Sequence, residues 1–174
     1  KRFQYERFIL SQLLVMALKG VPAFYLPALL ASENDIKSFS MTGQRRDLNR
    51  EKFKSENLSA VLNNPESNAN KNLKYLRNAM DVRSELKQFH PCSQMKCLSK
   101  GRSDIVVIKR GKGPESVFAI HNMTENKINY QLNDNDLPKI IDNDFNTQDF
   151  LTSKKYNCKN ISLDPFQVIW LSAL

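Results

Sequence analysis

An α/β segment followed by an all-β module is the fold class this sequence predicts, and three observations predict it. A long apolar helix, Phe3 to Lys19, leads through Gly20, Val21 and Pro22 into a short apolar run, Ala23 to Leu26. A second helical period ends at His90-Pro91. Beyond Pro91, short β-branched and aromatic runs are separated by Gly, Asn and Asp turns.

The first helix carries Phe8, Ile9, Leu13, Met16 and Ala17 near helical spacing, with Gly20 where a C-cap belongs. Leu10, Leu14, Val15 and Leu18 widen the apolar face, so most of its circumference needs cover. AFYL, Ala23 to Leu26, reads as a buried strand closed by Pro27. From Ala28 to about Asn70 the chain is polar and reads as an irregular loop with one helical turn, a length that usually marks a functional loop. Leu73, Leu76, Met80, Val82, Leu86 and Phe89 mark the second long helix.

The strands expected after it are MKCLS, DIVVIKRG, SVFAIHNMT, KINYQL and ISLDPFQVIWL. Gly111, Gly113 and Pro114 make a hairpin between Ile108 and Val117. The organisation is therefore residues 1–91 as the α/β part and 92–174 as a β domain, the latter able to stand as a small sandwich. A lone parallel-type strand has nothing to pair with, so its partners are expected upstream of Lys1.

Composition narrows the function classes. The chain has 174 residues, 41% hydrophobic and 25% charged, with a formal net charge of +8. That balance describes a folded protein, and its basic residues are interleaved with acids instead of forming blocks. With no nucleic-acid motif, no nucleic-acid partner is expected. FILSQLLVMALKG, Phe8 to Gly20, is too short and too interrupted to cross a bilayer, so no membrane partner is expected either. Cys92, Cys97 and Cys158 form no CxxC pair, and His90 and His121 supply no ligand cluster. No metal, no cofactor and a reducing, cytoplasmic setting follow as expectations. The sequons at Asn57, Asn122 and Asn160 read as chance in an asparagine-rich chain.

The most charged short stretch is TGQRRDLNREKF, Thr42 to Phe53. It fits a nucleic-acid grip, a solvated helix face, or part of a sugar or phosphate site. The choice comes from order: KGVPAFYLPALLASENDIKSF, TGQRRDLNR, MDVRSELKQFHP and LDPFQVIWL follow one another along the chain. This succession resembles the C-terminal part of the sucrose-phosphorylase-like branch of the α-amylase superfamily, from about Glu6 to Leu171. The TGQRRDLNR motif after the Asn34-Asp35 pair is its most diagnostic element.

The resemblance implies the last helix–strand–helix of a (β/α)8 barrel followed by a C-terminal antiparallel β-sandwich domain. Such a barrel takes ~250 residues, so most of it would lie upstream. It implies a retaining mechanism in which a glucosyl unit passes from an α-glucoside to inorganic phosphate, giving α-glucose 1-phosphate. The carboxylates that do this belong to earlier strands, so no catalytic residue is expected in this chain. Arg46 matches the family arginine that reaches the glucosyl hydroxyls, and its planar donors suit that task. Asn34 and Asp35 are placed at the entrance of the same loop. Departures at Pro27, Ala31 and Gln44-Arg45 leave the glucosyl acceptor open.

Plainer readings stand beside these. Arg46 also reads as a surface arginine paired with Asp47 or Glu51, and Asp47 with Arg50 as a local ion pair. Asn49 reads as the cap of a helix starting at Arg50, with Lys52 solvated and Phe53 packed inward. Tyr25 and Trp170 read as core aromatics, and His90 and His121 as structural. The alternative to a phosphorylase segment is a non-catalytic carbohydrate- or protein-binding β module with a helical lead-in.

Overall fold

The structure is a computed structural model, and it describes residues 2–49, 53–99, 101–133 and 146–172. Five α-helices precede eight strands: α1 (Gln4–Ala17), α2 (Leu26–Leu29), α3 (Ile36–Thr42), α4 (Ser55–Asn63) and α5 (Asn68–Glu85) come first. The strands are β1 (Met95–Cys97), β2 (Ile105–Arg110), β3 (Val117–Asn122), β4 (Ile128–Tyr130), β5 (Asn146–Gln148), β6 (Lys155–Asn157), β7 (Ile161–Leu163) and β8 (Val168–Ser172). Short 3-10 turns occupy Arg45–Asn49, Lys87–Phe89 and Gly113–Glu115. Two compact units result, residues 2–22 with 79–172, and residues 23–78.

In the larger unit an antiparallel sheet runs in the order β1-β2-β3-β8, with β4-β7 and β5-β6 as two-stranded ribbons. Its register pairs Val107 with Ile120 and Ile120 with Ile169, placing alternate residues of β2, β3 and β8 on one face. On that face Ile105, Val107, Phe118, Ile120, Ile169 and Leu171 pack on Leu132, Cys158, Ile161 and Leu163. The opposite face is buried as well, which is why all six residues of β3 are inaccessible. There α1 lies against β3, and Phe89 meets Trp170 with ring centroids 4.7 Å apart. Trp170 is thus a core residue, as its alternating strand predicts, but on the helix side of the sheet and not inside the sandwich.

Helix α1 buries Ile9, Leu10, Leu13, Met16 and Ala17 and leaves Val15 and Leu18 exposed. It stops at Ala17, short of the expected Lys19, because Leu18 turns to an extended backbone and the last carbonyls are taken by Arg110. Helix α5 starts earlier than its apolar period shows. Ser67 caps it, its hydroxyl accepting from the Asn70 N–H at 3.0 Å. The strands β5 and β6 carry no alternating apolar pattern and were not foreseen. They are fixed by pairing, Thr147 opposite Tyr156.

Two expectations about residues 23–70 are corrected. Ala23 to Leu26 forms no strand: residues 21–25 carry no regular secondary structure, and Leu26 already opens α2. A strand needs a neighbour for its N–H and C=O groups, and none is offered among the described residues. Tyr25 is accordingly 55% exposed, not a core aromatic. The stretch from Ala28 to Asn70 is mostly helical, containing α3, a 3-10 turn and α4 in place of one helical turn. Helix α3 is held by its Asp35 cap more than by apolar burial, since Ile36 and Met41 are exposed.

Candidate functional site

The site residues lie on α3 and the turn after it. Asp35 is the N-cap of α3: its carboxylate accepts from the Ser38 N–H at 2.9 Å and from the Ser38 hydroxyl at 2.6 Å. Helix α3 ends at Gly43, whose φ of 66° is the left-handed conformation a C-cap glycine supplies, and its N–H bonds the Phe39 carbonyl at 2.8 Å. The chain then reverses through the 3-10 turn Arg45–Asn49 and returns to its starting point. The Asp35 N–H donates to the Leu48 carbonyl at 2.7 Å. One backbone bond thereby brings the Asn34-Asp35 pair and the arginine motif together, as the sequence order suggested.

Within the turn, Asp47 is held rather than free. Its Oδ2 lies 2.7 Å from the Thr42 hydroxyl, and its Oδ1 lies 4.0 Å from Arg46 Nε. Thr42 also accepts from the Gln44 N–H at 3.2 Å, so one hydroxyl ties the helix end to the turn. Arg46 stands out from this frame with its side chain 66% exposed, against 25% for Asp47. Among the described residues this loose carboxylate contact is the one ion pair of Arg46, and it leaves most of the guanidinium donors for a ligand. Asn34 is also exposed.

The three predicted residues therefore differ in what they have to offer. Arg46 and Asn34 present free surface, whereas the Asp35 carboxylate is committed to its cap. The proposed Asp47–Arg50 pair, the helix from Arg50 and the placement of Lys52 lie outside the described residues. Thr42 was missed as a bracing residue, although it opens the TGQRRDLNR motif and its hydroxyl is the nearest small donor to Asp47. Phe53 is half-buried and lines a separate cleft of about 290 Å³ with Leu30, Ser32, Lys54, Leu58 and Val61, apart from Arg46.

Elsewhere, no three His, Cys, Asp or Glu side chains converge as metal ligands among the described residues. Cys158 is buried, and burial pushes its thiol up to about 11, which makes it inert. His121 is wholly buried beneath α1, its Nδ1 3.3 Å from the Val106 carbonyl. Asn122, one of the sequon asparagines, is inaccessible and donates to the Asn126 and Asp164 carbonyls. Among the described residues, no helix is long and apolar enough to cross a membrane.

No protein-family model matches the chain. Individual relatives do. A glucosylglycerate phosphorylase from Allomeiothermus silvanus is 32% identical over 119 residues, 68% of this chain and 21% of that protein. A glucosylglycerate phosphorylase from Escherichia coli K12 is 22% identical over 165 residues, covering 95% of this chain and 28% of the relative. The chain thus spans only a fifth to somewhat over a quarter of the relatives it matches. Among solved structures, an Anoxybacillus α-amylase superposes on 96% of this chain with a TM-score of 0.66 at 16% identity, using 32% of its own length.

At that identity the structural likeness concerns fold alone. The fold is the end of a barrel followed by a β domain. The sequence matches add the branch. The chain matches the C-terminal part of a sucrose-phosphorylase-like enzyme of the α-amylase superfamily, and the curated relatives it matches are glucosylglycerate phosphorylases.

Proposed function

We propose that this chain is the C-terminal segment of a retaining glucoside phosphorylase, with residues 1–91 ending the catalytic barrel and 92–174 forming its β domain. The complete enzyme transfers a glucosyl unit from an α-glucoside such as glucosylglycerate or sucrose to inorganic phosphate. The catalytic carboxylates come from the upstream barrel segment, and the chain itself supplies one wall of the sugar site. Arg46 is the residue assigned to the remote hydroxyls of the glucosyl unit, with Asn34 at the entrance. Asp35 acts one step back, holding the loop that presents them. The enzyme is placed in the cytoplasm and needs no cofactor.

The observation that carries this reading is the match to glucosylglycerate phosphorylases along 95% of the chain. The exposed guanidinium of Arg46, on a turn tied to the Asn34-Asp35 pair, is the geometry that agrees with it. The coding sequence ahead of the Lys1 codon tests it. Three acidic strand-end motifs there support the proposal, and an in-frame stop or an unrelated domain overturns it. Phosphate-dependent release of glucose 1-phosphate by the joined product then separates a phosphorylase from a hydrolase.

A further inference from the structure

Two arginines in the larger unit are bonded in a way that core packing does not require. Arg110 on β2 is fully buried, yet no carboxylate is among its hydrogen-bond acceptors. Its Nη1 donates to the carbonyls of Ala17 at 3.0 Å and Leu18 at 2.6 Å, and its Nη2 to His90 at 2.9 Å. Arg83 on α5 donates to the carbonyls of Phe89 at 2.7 Å and Gly20 at 2.8 Å. Both guanidinium groups lie over the Phe89 ring, 5.4 and 5.5 Å from its centroid. All these acceptors belong to two chain corners: the exit of α1 at residues 17–20, and the exit of α5 at residues 89–90.

The electrostatics count against a packing role. Burial lowers the affinity of both guanidinium groups for their protons, and Arg83 lowers that of Arg110 further by repulsion. The Nε atoms of both are buried with no hydrogen-bond partner among the described residues. An apolar side chain of the same volume avoids all of these costs, and such replacements are often neutral or stabilising. What an apolar side chain cannot do is bridge several carbonyls at fixed angles, which the planar fork does. The helix end adds to the attraction, since the last carbonyls of α1 carry the negative end of its dipole.

We propose that Arg83 and Arg110 are positioning residues forming one latch, through which the β module fixes the exits of α1 and α5. The β module is then an anchor for the chain corners beside it, with Arg110 as its contact residue. This goes beyond the sugar-wall reading and does not depend on it. The corner held by the latch, Ala17 to Gly20, is the point from which the chain runs on toward the Asn34-Asp35 loop.

Hydrogen–deuterium exchange on the whole chain tests the latch, comparing Arg110→Lys, Arg110→Met and Arg83→Lys with the parent. The lysine variants keep the charge but replace the fork with a point donor. Expected is exchange at least fivefold faster at the amides of residues 18–21 and of Phe89, His90 and Cys92 in all three, with the β3 and β8 amides unchanged. Arg83 is only half-buried, so Arg83→Lys decides the matter if the Arg110 variants do not fold. Parent-like exchange at both corners in Arg83→Lys overturns the proposal. Loss of protection spread evenly over the strands overturns it too, since that marks a packing role.

Discussion

The backbone N–H of Asp35 is bonded to the carbonyl of Leu48, while the Asp35 carboxylate caps the helix that separates them. One residue therefore acts twice, its carboxylate capping the start of α3 and its N–H tying that start to the turn after the helix. Asp35→Ala removes the cap and leaves the backbone bond, so α3 loses about 1 kcal/mol of stability. Exchange of the Phe39 and Gly43 amides is expected to rise accordingly. Asp35→Asn keeps an acceptor for the Ser38 N–H and is expected to lose only a few tenths of that. Equal loss in both variants would show that the charge, not the cap, holds the loop.

Arg46 separates a ligand role from a structural one. Its exposed side chain and loose 4.0 Å contact with Asp47 predict that Arg46→Ala changes stability by less than about 0.5 kcal/mol. In the enzyme completed by its barrel, the same change removes charge-assisted bonds to sugar hydroxyls, each worth about 1.5–3 kcal/mol. Glucosyl transfer is then expected to fall roughly tenfold to a hundredfold, since 1.4 kcal/mol is a factor of ten. Steady-state kinetics beside a denaturation curve checks both halves. Unchanged transfer removes Arg46 from the sugar site.

These two residues show where sequence legibility ended. The motif order placed Asn34, Asp35 and Arg46 in one loop, and the Asp35–Leu48 bond places them together. Periodicity found α1, α5 and the strands β2, β3 and β8, because each buries a regular apolar set. It failed at α3 and α4, which bury no residue, and of which α3 rests on the Asp35 cap. It failed at β5 and β6, which are defined by their cross-strand partners. It misread Ala23 to Leu26, where apolar residues describe a strand whose neighbours the described residues do not provide. The bonds of Arg83 and Arg110 were also illegible, since their acceptors are carbonyls up to 93 positions away in sequence.

Ala31 offers a gain in stability. It follows α2 with φ of 49°, a left-handed backbone that costs a residue with a Cβ roughly 1–2 kcal/mol. Ala31→Gly relieves that strain but adds entropy to the unfolded chain, leaving an expected net gain of about 0.5–1 kcal/mol. A higher urea midpoint with an unchanged slope is the expected reading. A lower midpoint would mean that the Ala31 methyl contributes more than its backbone strain costs.

Two buried titratable groups in the β module give the stability a defined pH dependence. His121 has no exposure, and burial lowers its folded pKa from 6.5 to about 4. Between those values the unfolded state binds the proton and the folded state does not, so stability falls as pH drops from about 6.5 through 4. The full loss from such a shift is on the order of 3 kcal/mol. Asp149 works in the opposite sense. It is buried with its carboxylate accepting from the Trp170 N–H at 2.7 Å and the Thr152 hydroxyl at 2.6 Å, and burial raises its pKa above 3.8. Its unfolded form ionises first, so it withdraws stability as pH rises from 3.8 through its folded value. His121→Gln is therefore expected to flatten the rise in unfolding free energy between pH 4 and 6.5, even where it lowers the whole curve. Asp149→Asn is expected to steepen the rise just above pH 4, because it removes the opposing term. Urea titrations at half-unit pH steps read both slopes. A parent-like slope in His121→Gln would show that His121 is already charged within the fold.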